Sequence, residues 1–456
     1  MAETLTSYAA RLEDLAHGLG LDYDPIDFEV VPPSFMMEVA VYGLPVRMPH
    51  WSFGVRYIYQ LVQHRMGHSR IFEVVFPGRP GHAYLADNNS LTENTLVVAH
   101  VLGHADFSRN NALFRRCQGQ VGHHVVEQAA ERAFRIQQAI EAHGRERVEA
   151  VLDAALALEH QVDVNLALDR PPYPICAPPR PVPAPDPFQE RFQSLPGGKG
   201  REAPAPSVGR PPPCPPRPEH DLLWFIARYA PELEDWARDI FLAVREESFY
   251  FYPVFACNIM NEGWASYWHA RLLREARFLP EDLYLDALKT HSDVVRPVAG
   301  DQQVALQVNP YHLGFVLWDR LIESCGIAAA RAILQEEDDF GFIRNHLRED
   351  LAEELGLFTY EARASNGEVK ATGRDIHRLR EALLAPRFNF GAPRVAVGEM
   401  HADGTLVLRH DHAADGRGLD VARARKVIGY VHRVWRRPVR LHTVSTSGEG
   451  VTVDSD

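Results

Sequence analysis

Apolar positions recur at three-and-four spacing from the start of the chain. Leu5, Tyr8, Ala9, Leu12, Leu15, Ala16 and Leu19 form one stripe, which predicts an amphipathic helix closed by Gly18 and Gly20. A turn-rich stretch follows, through Pro32-Pro33 and Tyr42-Gly43-Leu44-Pro45. Residues 55–66 read as a helix, and Ile71 to Phe76 as a short strand ended by Pro77-Gly78. Long helical patterns then cover about 91–107 and 122–160, the second carrying Val126, Ala129, Ala130, Ala133, Ile136 and Ile140. After a restart at Leu222, the stripe Leu233, Trp236, Ala237, Ile240, Phe241 and Val244 opens a second helical stretch. It runs to about 385, with breaks near Pro297-Val298 and Asn309-Pro310. The tail changes period: Val395-Ala396-Val397, Thr405-Leu406-Val407-Leu408 and Val439-Arg440-Leu441 are short alternating runs around a helix at 419–435.

These patterns predict a mainly α protein, a large helical core with a small C-terminal α+β module built on an antiparallel sheet and one helix. Between the two helical stretches, residues 171–218 hold 18 of the chain's 33 prolines. A stretch so rich in proline forms no regular ladder and reads as a linker or surface excursion. The chain thus divides into 1–170 and 219–386 as two halves of the helical core, 171–218 as the excursion, and 387–456 as the α+β module.

Composition narrows the classes. The 456 residues are 46% apolar and 24% charged, an ordinary globular balance. No apolar run approaches the roughly 20 residues that span a bilayer. Met1-Ala2-Glu3-Thr4 lacks the basic and apolar regions of a secretory signal, so a cytoplasmic location is expected. Cys117, Cys176, Cys214, Cys257 and Cys325 show no paired spacing, which argues against a disulfide framework or a thiolate zinc site. A formal net charge of −13 disfavours nucleic acid as a partner. The 22 histidines make a metal site plausible and also multiply chance pairs, so spacing has to decide.

Two elements carry candidate chemistry. His100 and His104 stand at i and i+4 in Val97-Val98-Ala99-His100-Val101-Leu102-Gly103-His104, so both imidazoles lie on one helix face and can reach one ion; taken alone the spacing is a weak signal, its alternative a pair of surface or core histidines. Apolar residues upstream and Gly103 beside His104 mark a buried, closely packed helix. In Met260-Asn261-Glu262-Gly263-Trp264-Ala265-Ser266-Tyr267-Trp268-His269, Glu262 and His269 are two helical turns apart and share a face. A carboxylate in so apolar a run needs a partner, whether metal, histidine or arginine. The blander reading makes Asn261 the N-cap and Glu262 a first-turn carboxylate held by the helix dipole. His50, in Pro49-His50-Trp51-Ser52, is a candidate acid/base or fourth ligand, with packing as its alternative. Asp106, off the ligand face, is read as orienting a histidine.

Together the two elements resemble gluzincin metallopeptidases, in which a helix carrying HExxH gives two ligands and a later helix the third. The resemblance implies a zincin-like core with zinc or another divalent transition metal on His100, His104 and Glu262. Val101 occupies the position of the catalytic glutamate, so the standard base is missing, and His269, His50 or an unaligned carboxylate has to replace it. A broader resemblance runs along the chain outside 171–218. It is carried by Tyr42-Gly43-Leu44-Pro45 with His50-Trp51-Ser52-Phe53-Gly54, Ala83-Tyr84-Leu85 with Asn88-Asn89, Ala99-His100 through Phe107 with Asn110-Asn111, and Leu152-Asp153-Ala154. Tyr250-Phe251-Tyr252-Pro253, Met260 through His269, and Asn309-Pro310-Tyr311 with Leu313-Gly314-Phe315 complete it. These blocks are similar to the SpoVR (stage V sporulation protein R) family. That resemblance implies a link to spore cortex (peptidoglycan) formation or stress responses, and partnership with a serine protein kinase and a von Willebrand-like domain protein. Two function classes follow, a metal-dependent hydrolase of amide bonds and a non-catalytic zincin-like scaffold.

Overall fold

The computed structural model describes residues 2–65, 73–165, 168, 173, 214–295, 309–357, 359–362, 369–373 and 375–455. Most of the proline-rich excursion, 174–213, lies outside them. The helices in chain order are α1 (Ala2–Gly18), α2 (Pro33–Tyr42), α3 (Trp51–Arg65), α4 (Leu91–Asn110), α5 (Ala112–Val121), α6 (Val125–His143), α7 (Arg145–Ala157) and α8 (Leu222–Tyr229). They continue with α9 (Asp235–Ala256), α10 (Asn258–Glu275), α11 (Glu281–Val294), α12 (Pro310–Glu336), α13 (Asp339–His346), α14 (Glu349–Glu354), α15 (Ile376–Leu384) and α16 (Val421–Trp435). The strands are β1 (Ile26–Val31), β2 (Glu73–Phe76), β3 (Gly81–Ala86), β4 (Thr359–Ala362), β5 (Val369–Gly373), β6 (Val395–Met400), β7 (Leu406–His410), β8 (Val439–Val444) and β9 (Gly450–Asp454). The protein is mainly α with a small C-terminal α+β region, as the periodicity predicts. Among the described residues, no helix is long and apolar enough to cross a membrane.

Contacts divide the chain into two compact units, Met1–Leu152 with Ala243–Ala392, and Asp153–Leu242 with Pro393–Asp456. In the first, α4 is the central helix. It starts in a capping box: Ser90 Oγ accepts from the Glu93 N–H and the Glu93 carboxylate accepts from the Ser90 N–H. Residues 94–103 are buried on every side, the mark of a helix enclosed by protein. Helix α10 packs against both α4 and α12. Its first turn has no cap of its own; the Asp339 carboxylate, from α13, accepts the N–H groups of Ile259 and Met260 at 2.9 Å each. The start of α10 at Asn258 puts Asn261 and Glu262 inside the helix, so Asn261 is not an N-cap.

Three close glycine approaches set the helix spacing. A Cβ on Gly103 of α4 would lie 2.6 Å from the Ala265 Cα of α10. One on Gly263 of α10 would lie 2.2 Å from the Gly314 carbonyl carbon of α12, and one on Gly314 would lie 2.1 Å from the Ile259 oxygen. Only hydrogen fits at these points, so the backbones run nearly in contact. Fully buried Trp264, Trp268 and Trp318 fill the space alongside.

A three-stranded sheet of order β1-β3-β2 lies against α4, with β1 parallel and β2 antiparallel to β3. Its Val75, Ala83 and Leu85 join the core that contains Val97, Val98, Val101 and Leu102 of α4. Its other face, Val74, Phe76, Tyr84 and Ala86, packs in a separate cluster with Met36 and Val39 of α2 and Val125 and Ala129 of α6. The alternation of side chains along a strand accounts for the division.

In the second unit the strand order is β6-β7-β8-β9. The sheet is mixed rather than antiparallel: α16 carries the chain between β7 and β8, which pair in parallel from Leu406 opposite Val439. Buried Trp435 ends α16 stacked on Phe225 of α8, its indole N–H donating to the Gly404 carbonyl at 2.7 Å. The predicted helix over 122–160 is two helices in the structure, separated at Gly144, whose φ of 86° ends α6.

Candidate metal centre

Helix α4 presents His100 and His104 toward Glu262 of α10. Each imidazole Nε2 lies 3.5 Å from Glu262 Oε2. Among the described residues, the group of three or more His, Cys, Asp or Glu side chains whose ligand atoms lie within 4.8 Å of one another is His100, His104 and Glu262. His100 Nε2 and Glu262 Oε2 are buried and have no hydrogen-bond partner among the described residues. An unpaired buried polar atom costs about 1–3 kcal/mol, so these two atoms define a gap suited to a positive charge.

The outer ring nitrogens are tied down. His104 Nδ1 donates to Asn261 Oδ1 at 2.9 Å, which leaves the lone pair of the neutral ring on Nε2, facing Glu262. His100 Nδ1 lies 2.9 Å from His269 Nδ1, and His269 Nε2 lies 2.5 Å from His291 Nδ1. With a lone pair on His100 Nε2, as a metal ligand needs, the protons order themselves in one way. His100 Nδ1–H donates to His269, and His269 Nε2–H donates to His291. His269 is fully buried, and both of its ring nitrogens are spent on histidines. It stands behind His100 and points neither nitrogen at the gap. Orienting a metal-binding imidazole through its second nitrogen is a recurrent feature of such centres.

Electrostatics agree with neutral imidazoles around an anionic carboxylate. Burial, and then the nearby His100 and His291, hold His269 well below the ordinary histidine range. Burial, with His100 and Arg274, lowers His291 to about 4. His104 is lowered by burial against the pull of Glu262. Burial pushes the Glu262 carboxyl up, but His104, His100 and the Tyr311 hydroxyl outweigh it and hold it below its usual range. The Tyr311 O–H, at the start of α12, donates to Glu262, and the adjacent charge holds that phenol well above its ordinary value. Asn309 caps α12 by accepting the Tyr311 N–H at 3.0 Å, which fixes that turn.

The structure does not put every expected residue here. His50 precedes α3, its Nδ1 2.7 Å from Ser52 Oγ and its ring against Trp51 and Phe53, and it is not a member of the His100–His104–Glu262 group. Asp106 orients no histidine. Its buried carboxylate accepts from Trp264 Nε1 at 2.8 Å, the Asp22 N–H at 2.8 Å and Arg331 at 3.1 Å, tying the segment after α1 to α4, α10 and α12. Val101 is completely buried, in the core cluster that also holds Val75, Ala83 and Leu85 of the sheet.

Two neighbours were given no role at this site by the sequence. Asn261 holds His104, and Glu73, the first residue of β2, is close enough to the trio to feel its charges. Burial raises Glu73 to about 7, with His104 opposing and Glu262 adding to the shift.

The profile of SpoVR like protein matches residues 1–391, and that of the SpoVR-like C-terminal domain matches residues 394–446. The chain belongs to the SpoVR-like family. The boundary between the two profiles falls beside the last of the three points where the chain passes between the compact units, Ala392 to Pro393; the first profile also takes in Asp153–Leu242 of the second unit. The chain is 27% identical to uncharacterized protein YcgB of Escherichia coli (strain K12), over 98% of this chain and 93% of that protein. No solved structure matches it. The metal-type cluster thus lies wholly within the part that matches the main SpoVR profile.

Proposed function

We propose that this SpoVR-like protein binds one divalent transition ion through His100, His104 and Glu262 and hydrolyses amide bonds. Two imidazole nitrogens and a carboxylate suit zinc, and three protein ligands leave a position open, as in catalytic rather than structural sites. The observation that carries the reading is the convergence of two buried, unpartnered ligand atoms, His100 Nε2 and Glu262 Oε2, on the lone pair of His104. When bound, the ion would polarise a carbonyl and make water a stronger nucleophile at neutral pH. The residues of the chain do the rest. Asn261 and His269 hold the ligand rings, and Tyr311 steadies Glu262.

Peptidoglycan-related amides are the substrate class that the family link suggests. A second reading is favoured by one observation: Val101 has no proton-transfer chemistry, which suits a scaffold that serves a serine protein kinase system. Elemental analysis of protein purified without chelator tests the shared premise. Near-stoichiometric zinc, iron or manganese is expected, and the His100→Ala/His104→Ala double variant should lose it. A metal-free protein, or full retention by a folded double variant, refutes the site.

A further inference from the structure

A carboxylate that no motif announces, Glu73, feels the charges of His104 and Glu262. Glu73 opens β2 opposite Leu85 of β3, and Val75 stands opposite Ala83. Directly paired residues of antiparallel strands share a face, and positions two apart along a strand share it too. Val75, Ala83 and Leu85 all pack in the core that contains α4, whereas Val74, Phe76 and Tyr84 pack on the opposite side. Glu73 therefore projects from the α4 face of the sheet. Its neighbours in charge are His104, Glu262 and Tyr311, which come from three different helices and meet at the candidate centre. On α4 the position next to His100 is taken by Val101, packed into the apolar layer beneath the sheet.

We infer that Glu73, supplied by the sheet rather than by the histidine helix, is the general base of this site. The inference rests on the metal-dependent hydrolase reading. The Glu73 carboxylate takes a proton from the attacking water as the water oxygen bonds to the amide carbon. The same proton passes to the departing nitrogen as the carbon–nitrogen bond breaks, giving a carboxylic acid and an amine and restoring the carboxylate. A cation at the trio favours the ionised, proton-accepting form of Glu73, since a nearby opposite charge stabilises a carboxylate.

Cobalt-substituted protein and acetohydroxamate test this without a known substrate. A hydroxamate chelates an open metal position and hands its proton to a neighbouring base, so its affinity reports that base directly. Cobalt content and the visible cobalt spectrum are read for the wild type, Glu73→Gln and Glu73→Asp. The expected result is unchanged cobalt content in all three. Hydroxamate binding should weaken about tenfold to hundredfold in Glu73→Gln, the worth of one hydrogen bond to a charged group, and recover in part in Glu73→Asp. Equal affinity in a cobalt-loaded Glu73→Gln overturns the base assignment and leaves the metal reading standing. Loss of cobalt from Glu73→Gln makes Glu73 a ligand and overturns it as well. Failure of the wild type to take up cobalt overturns the metal reading and, with it, this inference.

Discussion

Gly103→Ala replaces one hydrogen by a methyl group at the crossing of α4 and α10. The added Cβ would sit 2.6 Å from the Ala265 Cα and 3.2 Å from its Cβ. Carbon atoms pack best at about 3.5–4.0 Å, and the obstacle is backbone, which has no rotamer to change. The two helices must therefore move apart by about 1 Å. The crossing lies one residue from His104 and three from Glu262, so that movement goes straight into the ligand set. Metal–ligand distances tolerate only about 0.2 Å, and the displacement exceeds that several-fold. Forcing a methyl group into a filled core costs about 1–3 kcal/mol. Disturbing the supports of ligands elsewhere lowers metal affinity about 10- to 100-fold, and a loss at least that large is expected here. Competition against a chromophoric chelator measures the affinity, and thermal unfolding of chelated protein measures stability separately. Gly119→Ala is the control, because Gly119 is exposed in α5 with nothing within 4 Å of its would-be Cβ. That variant should keep wild-type metal affinity and gain about 0.5–1 kcal/mol from better helix propensity. A Gly103→Ala protein with wild-type affinity and melting temperature refutes the claim that this contact sets the site geometry.

Two other perturbations have outcomes fixed by the structure. Asp106→Ala should cost about 3–5 kcal/mol, because it strands Trp264 Nε1 and the Arg331 guanidinium, whereas Asp106→Asn should cost less; urea unfolding decides, and a loss below about 1 kcal/mol for the alanine variant refutes the role. His291 has a folded pKa of about 4, below its unfolded value near 6.5, so its contribution to stability is present above about 6.5 and drains away as pH falls toward 4. Asp339 and Glu73, both raised to about 7, shift stability the opposite way over the same range, so only a difference between variants isolates the histidine. Chelated His291→Gln should lose less stability than chelated wild type between pH 6.5 and 4, by an amount on the order of 1–3 kcal/mol, and parallel stability curves for the two proteins refute it.

Much of the helical fold was legible because the α elements bury one face and advertise it by three-and-four spacing. His100 and His104 were legible for a related reason, since i,i+4 spacing on a buried helix is a local signal, and Glu262 because a carboxylate in so apolar a run needs a partner. What escaped was decided by partners distant in sequence. Asn261 reads as an N-cap because the residue that begins α10 is Asp339, about 80 positions away, and no local pattern shows it. The role of His269 depends on a ring nitrogen 169 residues earlier in the chain. Strands β1 and β3 sit among prolines and glycines that read as turns, although Ile26, Phe28 and Val30 alternate as a strand should. Without β3 there is no register for β2, and without that register Glu73 is one more polar residue near a turn. The parallel pairing of β7 and β8 was hidden for the same reason, since alternation marks a strand and not its direction.

Enzyme and scaffold make different demands on the same three ligands. A structural zinc site closes with four protein ligands, because an open position adds nothing to stability. Here the metal-capable group among the described residues has three members, and Glu73 feels the charges of two of them without belonging to the group. A carboxylate held there carries a cost. Burial raises Glu73 to about 7, so ionising it at neutral pH works against folding of the metal-free chain. That cost is reasonable for a group whose task is to accept a proton beside a cation, and a pure scaffold gains nothing by it. Val101 excludes the standard zincin step, in which the helix itself brings the base. It does not exclude the chemistry in the proposed hydrolase, where Glu73, on the α4 face of the sheet, takes the part of the base. In the proposed hydrolase the apolar side chain at 101 and the carboxylate at 73 divide the work, the helix contributing to the core and the strand bringing the base.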